Sequence, residues 1–384
     1  MCIRDSDKTH VKVHLKKPWS LFPYLLTTQV GYMMAKAMFD DPTLASKPIG
    51  TGPFVFKDWQ PGVTFKATKN EHYWQAGKPH LSEIEFRPIP NAQKRADALI
   101  ANEIDAMHTI TGRDILSLRD RAGVKMVEVE TGEEVCIAMN EAKAPFDQLD
   151  ARLAMAYATD VPRFLKETGR DVASPANGPF APGQLGYRAD AGYPRFDLEK
   201  AKGYVQAYEK ETGQKLSFQY QGAANTDDAA GQQLLKAMWE AAGMQVELVG
   251  TPQVAQIVNA VLGSYQAIDW RNYGQPEPEG EYVWWHSSSI APEGGISLNV
   301  ARFNSPTIDV ALDHERTTTD AKQRDEDFAT IAAELNKGVP YLWLERAHWT
   351  IAANPKVNGF LPAKNGSIQT LGAKTWIADL WLEQ

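Results

Sequence analysis

Three glutamates in five positions, Glu277, Glu279 and Glu281, stand in "GQPEPEGEYVWWHSS" beside Tyr282, Trp284 and Trp285. Carboxylates of this kind cleave glycosides when one is held protonated and a second is kept ionised across the bond. Here the stretch carries prolines and a glycine, and nothing identifies a second acid across a cleft. It therefore reads as a solvated acidic loop, or as a ligand-facing loop without chemistry. His10 and His14, four apart, share one face of a strand, but no third ligand at metal spacing and no H-E-x-x-H accompany them. They read as exposed strand histidines, and no metal is expected. Cys136 lies in an apolar strand, where a buried thiol is inert. Ser287 to Ser289 lack the strand–elbow–helix setting of a catalytic serine. In "PIGTGPFVFKDWQPG", Pro48 to Gly62, the glycines suggest a phosphate loop, yet Pro53 follows Gly52 and has no N–H to offer. No catalytic residue and no cofactor follow from these motifs; binding is what remains.

The composition bounds the scaffold. With 384 residues, 43% hydrophobic and 23% charged, the chain has the make-up of an ordinary globular protein of two or three domains. A net charge of −8 argues against nucleic acid as a partner. Cys2 and Cys136 are the only cysteines, so there is no disulfide framework. "MCIRDS" does not blend into the alternating "THVKVHLKK" that follows; residues 1–6 read as a foreign leader, and no signal peptide is visible.

The elements follow from periodicity. Strands are expected at Thr9 to Lys16, after Pro53, and at "VTFKATKN", "EIEFRPI", "VKMVEVE" and "EVCIAMN". Asn91 caps a helix whose Ala92, Ala96, Leu99 and Ile100 share a face. Beyond Asn140, helices from Asp147, Asp197, Asp227 and Gln253 alternate with the strands "KLSFQY", "QVELVG" and "YQAIDW". That alternation predicts a largely parallel α/β sheet. A long helix from Asp320 to Asn336 precedes the strand-like "VPYLWLERAHWTIAA".

"PIGTGPFVFKDWQPG", "NEHYWQAGKPHLSEIEFRPIPNAQKRADALIANEID", "APFDQLDARLAMAYATD", "FDLEKAKGYV" and the Tyr-Gln-Ala-Ile-Asp-Trp strand, in this order, resemble the family 5 extracellular solute-binding proteins of bacterial ABC importers, the dipeptide, oligopeptide and nickel receptors. The resemblance implies a two-lobed, type II periplasmic-binding-protein-like α/β fold that closes on a solute. Crossing strands would pass near Met139–Asn140 and Trp343–Arg346. Lobe I would comprise residues 7–140 and be incomplete, lacking a stretch before His10; lobe II would run over 141–345, and 346–384 would return to lobe I. It also implies a periplasmic or cell-surface monomer that captures a peptide or peptide-like solute without chemistry and delivers it to an ABC permease. Residues after the "YQAIDW" strand line the cleft in the family, which carries over to Trp270, Arg271, Asn272 and Tyr273. Trp270 would supply an apolar wall and Arg271 a bidentate clamp for a carboxylate. Asn140, Trp343 and Arg346 join them from the crossing strands. Peptide receptors of the family hold the ligand's amino group with an aspartate, whose place falls here near Tyr273 and Gly274. A carbohydrate-active enzyme using Glu277, or a solute sensor without a permease, are the alternatives on such a scaffold.

Overall fold

The computed structural model describes residues 2–5, 10–27, 31–224, 226–272, 277–359 and 377–383; Tyr273 and Gly274, and Met1 and Ser6 of the leader, lie outside them. The chain forms two compact units. The first comprises Met1–Val30, Gly132–Leu165 and Pro175–Arg346. The second comprises Gly31–Thr131, Lys166–Ser174 and Ala347–Gln384.

The main sheet contains β1 (Ala106–Thr109), β2 (Lys125–Met139), β3 (Ser217–Ala223), β4 (Gln245–Thr251), β5 (Ala267–Asn272) and β6 (Tyr341–Ala353), in the order β1-β6-β2-β5-β3-β4. Residues 125–131 of β2, 347–353 of β6 and all of β1 belong to the second unit. β3 runs parallel to both β4 and β5, as βαβ connections require. β5 runs antiparallel to β2, and β1 antiparallel to β6, so the sheet is mixed rather than largely parallel. "VKMVEVE" and "EVCIAMN", expected as two strands, are one strand of 15 residues. The glycine between them serves packing instead of a turn: a Cβ on Gly132 would lie 2.4 Å from Gln184 Nε2.

In the first unit both faces of the sheet are covered. Helices α1 (Leu149–Ala158), α2 (Leu198–Thr212) and α3 (Thr226–Ala241) pack on one face against Ile137, Met139, Phe218, Tyr220, Ala267, Leu342 and Leu344. After α4 (Gln253–Leu262) and β5, helices α5 (Pro306–Glu315) and α6 (Ala321–Gly338) pack with Trp285 on the other, against Cys136, Ala138, Ile268, Tyr341 and Trp343. Neighbouring residues of one strand thus enter opposite cores, which is the period-2 geometry of a strand buried on both sides. The helix starts carry their caps. Asp197 accepts from Lys200 N, Ser305 from Ile308 N and Asp320 from Lys322 N and Gln323 N.

The second unit holds a three-stranded antiparallel sheet, Phe54–Gln60, Thr64–Lys69 and Glu83–Phe86. Pro53 leads directly into its first strand, and Asn70 secures the entry by donating Nδ2 to Gly52 O at 2.9 Å and its N–H to Pro53 O. The "GTGP" loop is therefore a strand entrance. Asn91 caps the helix Ala92–Ile100 through Lys94 N, and Ala96 and Leu99 pack with Met107, Leu118 and Ala352.

Phe328, fully buried on α6, packs edge-on against Phe180 with ring centroids 5.6 Å apart. Gly186 closes on the same ring; a Cβ there would stand 2.5 Å from Phe328 Cβ. Phe328→Ala is expected to lower stability by about 3–5 kcal/mol, through lost transfer energy and the cavity left behind. Urea unfolding followed by tryptophan fluorescence reads this directly. A loss below about 1 kcal/mol would mean that this core collapses freely around the gap.

Candidate functional site

The C-terminal end of β5 brings together three of the residues expected to meet a ligand. Asn272 stands opposite Glu134 across the β5–β2 ladder, and Trp270 opposite Cys136. Alternation places Trp270 and Asn272 on one face, and Trp270 Nε1 donates to Asn272 Oδ1 at 3.0 Å. The Trp270 ring lies 6.1 Å from that of Trp284. Arg271 sits between, with Nε 3.6 Å from Glu133 Oε2 and its side chain partly exposed. Arg346 is buried: one terminal nitrogen donates to Glu134 Oε1 at 3.2 Å, the other to Gly178 O and Phe180 O at 2.6 and 2.7 Å. Trp270, Arg271, Asn272 and Arg346 are thus joined through Glu133 and Glu134.

Asn140 and Trp343 are placed differently. Asn140 Nδ2 donates to Gly263 O and Tyr265 O, and its Oδ1 accepts from Ala142 N, which uses its amide to pin the turn after β2. Trp343 is buried in the core with Nε1 on Asn336 Oδ1 at 3.0 Å.

The acidic stretch is not solvated. Glu279 and Glu281 are both buried, on a 3-10 turn over Pro278–Glu281. Glu279 Oε1 accepts from Trp19 Nε1 at 2.9 Å and lies 2.7 Å from Arg316 Nε. The Arg316 guanidinium is itself held between the rings of Trp19 and Tyr282, with centroids at 4.4 and 3.2 Å. Arg324 takes Glu277 at 2.9 Å and the buried Glu315 at 3.3 Å. Arginines from α5, its C-cap and α6 thus draw the acids inward, a pairing across 35 or more positions that the local composition of the loop does not reveal. Glu281 differs: neither carboxylate oxygen has a hydrogen-bond partner among the described residues.

The other motifs find structural explanations. His286 Nδ1 accepts the backbone N–H of Ser288, while the Ser287 hydroxyl and N–H both bond Asp309, so the histidine is not placed to take the serine's proton. His10 and His14 are exposed. Cys136 is buried, and burial pushes its thiol well above the usual range. Among the described residues, no three His, Cys, Asp or Glu side chains are arranged to hold a metal ion. No helix there is long and apolar enough to cross a membrane.

Burial dominates the electrostatics of the site. It pushes Glu134 up to about 8, against the opposing pull of Arg346 and with a further push from Glu133. Burial, then Glu134 and Glu133, raises Glu281 well above the carboxylate range. A carboxyl whose folded pKa is raised favours the fold while protonated. Its contribution is complete below the ordinary value of 4.5 and is lost as pH rises through about 8. The thermal midpoint is therefore expected to fall by several degrees between about pH 5 and about pH 9. In Glu281→Gln the fall should be shallower, because the neutral amide has nothing to ionise. Equal slopes for the two proteins would exclude Glu281 from the titration.

Residues 2–292 match the model of the bacterial extracellular solute-binding proteins, family 5 Middle. Heme-binding protein A of Haemophilus influenzae is 24% identical over 341 residues, covering 84% of this chain and 59% of that protein. Glutathione-binding protein GsiB of Pectobacterium atrosepticum is 24% identical over 370 residues, covering 92% of this chain and 70% of that protein. The chain thus spans between about three fifths and seven tenths of the length of these relatives. Among solved structures, the periplasmic binding protein DppA of Helicobacter pylori in complex with the peptide STSA superposes with a TM-score of 0.88 at 21% identity, covering all of this chain and 74% of that one. The mixed α/β architecture is that of the type II periplasmic binding proteins. With the family model matched over most of its length, this chain belongs to the bacterial extracellular solute-binding proteins of family 5.

Proposed function

We propose that this protein captures a small solute, most plainly a peptide or peptide-like compound, and hands it to the membrane permease of an ABC importer, without changing a bond in the solute. The observation that carries the reading is the end of β5, where Trp270, Arg271 and Asn272 meet Glu133 and Glu134 at the margin of a core closed on both faces. Arg271 is partly exposed and has a planar fork of donors, which suits a carboxylate. Trp270 offers a rigid wall beside it. The relatives named above bind haem, glutathione and a peptide, all of which carry carboxylates. Capture proceeds by closure of two lobes on the solute: binding begins on one, and the interactions that the other then adds favour the closed form. Glu277 and Glu279 are held by Arg324 and Arg316, an arrangement that suits a fixed wall better than an acid–base pair. The protein works as an extracytoplasmic monomer in this reading.

Native mass spectrometry of the purified chain identifies the solute it carries, and isothermal titration with that solute tests the site. Arg271→Ala should weaken binding about 10- to 100-fold, the worth of one charge-assisted contact. Unchanged affinity in this variant, with the fold intact by circular dichroism, would remove β5 from the binding surface.

A further inference from the structure

We infer that Glu281, Glu134 and Asn272 form a subsite for an ammonium group carried by the solute, an assignment that rests on the capture reading above. The geometry begins with charge. Among the described residues the neighbouring acids each have a guanidinium: Glu133 has Arg271, Glu134 has Arg346, Glu279 has Arg316, and Glu277 and Glu315 share Arg324. Glu281, equally buried, has none. A buried carboxyl without a partner is costly, and proteins retain one where something else completes it.

The second observation is a set of unmade hydrogen bonds around the same place. Both oxygens of Glu281, Oε2 of Glu134, Nδ2 of Asn272 and the hydroxyl of Tyr341 are buried and unpartnered among the described residues. Asn272 and Glu134 are direct neighbours across the ladder, so a donor and an acceptor stand side by side without bonding each other. Tyr341 and Glu281 feel one another's charge, and both feel that of Glu134. Acceptors that outnumber donors, with one negative charge in excess, call for a guest that donates several hydrogen bonds and carries one positive charge. An ammonium does both. The Asn272 amide then suits a carbonyl or carboxylate oxygen adjacent to that nitrogen. A bare metal ion does not suit the place, because the acids are not arranged to ligate one.

The remaining charged and titratable groups near the carboxyls are Arg346 and Glu133, with Asp269 and Cys136 beside Glu134. The empty subsite holds Glu281 protonated, and an incoming ammonium displaces that proton. Binding should therefore release about one proton, visible as a buffer-dependent heat in titration calorimetry.

The test uses the full chain with three probes: the tetrapeptide Ser-Thr-Ser-Ala, its N-acetyl form, and cadaverine. The free peptide is expected to bind about 10- to 100-fold more tightly than the acetylated one. Glu281→Gln should erase that preference and the proton release while leaving the thermal midpoint as high or higher, and Asn272→Ala should weaken both peptides. Cadaverine binding with the same dependence on Glu281, in place of the free peptide, would keep the subsite and name a small amine as its source. If the acetylated peptide binds as tightly as the free one and Glu281→Gln changes neither, the subsite is wrong while solute capture stands. If no probe binds and no small molecule leaves the native protein, capture itself falls, and the subsite with it.

Discussion

Strands β2, β5 and β6 are buried on both faces, and this governs where polar groups can sit. Along β2 and β5, neighbouring residues enter two different cores, with Ile137 and Met139 on one side and Cys136 and Ala138 on the other. A polar side chain inside such a strand faces apolar surroundings whichever way it points. Polar groups are therefore pushed to the strand ends. At the end of β5 they gather as Arg271, Asn272, Glu133 and Glu134, with Arg346 bracing them from β6. A rigid, fully packed sheet behind a polar end is a good platform for recognition, since the groups meeting a ligand cannot relax away from it.

The acids of the first unit show how burial and pairing divide labour. Glu279, Glu277 and Glu315 are held by Arg316 and Arg324, and the cation–π sandwich of Trp19, Arg316 and Tyr282 fixes the first of these contacts. Such networks hold a shape, because every charge already has its partner. Glu281 has the same burial without the partner. The difference between a satisfied and an unsatisfied carboxyl, a few residues apart on one turn, separates architecture from recognition more sharply than residue type does.

Much of the scaffold was legible. The alternation of helices with "KLSFQY", "QVELVG" and "YQAIDW" identified the α/β sheet, because a strand's period of two and a helix's period of 3.6 are local properties. Asn91, Asp197 and Asp320 announced their helices, since a cap bonds residues two or three positions away. Pro53 gave away the strand entrance at "GTGP" for the same reason. Failures began where a local signal served a distant contact. Gly132 looked like a break between two strands, but it yields space to Gln184, 52 positions on. The glutamates of "EPEGE" looked solvated by composition, and Glu133 and Glu134 passed as strand residues, because their arginines lie on other elements.

The sequence by itself thus determined the family, the α/β class and the stretch after "YQAIDW" as a place to expect a ligand. Each rests on short-range pattern, or on motif order preserved along the chain. Only the tertiary structure decided that β2 is one continuous strand, that the sheet is mixed, and which buried charges are paired. Those are long-range facts: whether a carboxyl is neutralised depends on a guanidinium brought to it by folding, and no periodicity along the chain encodes that distance.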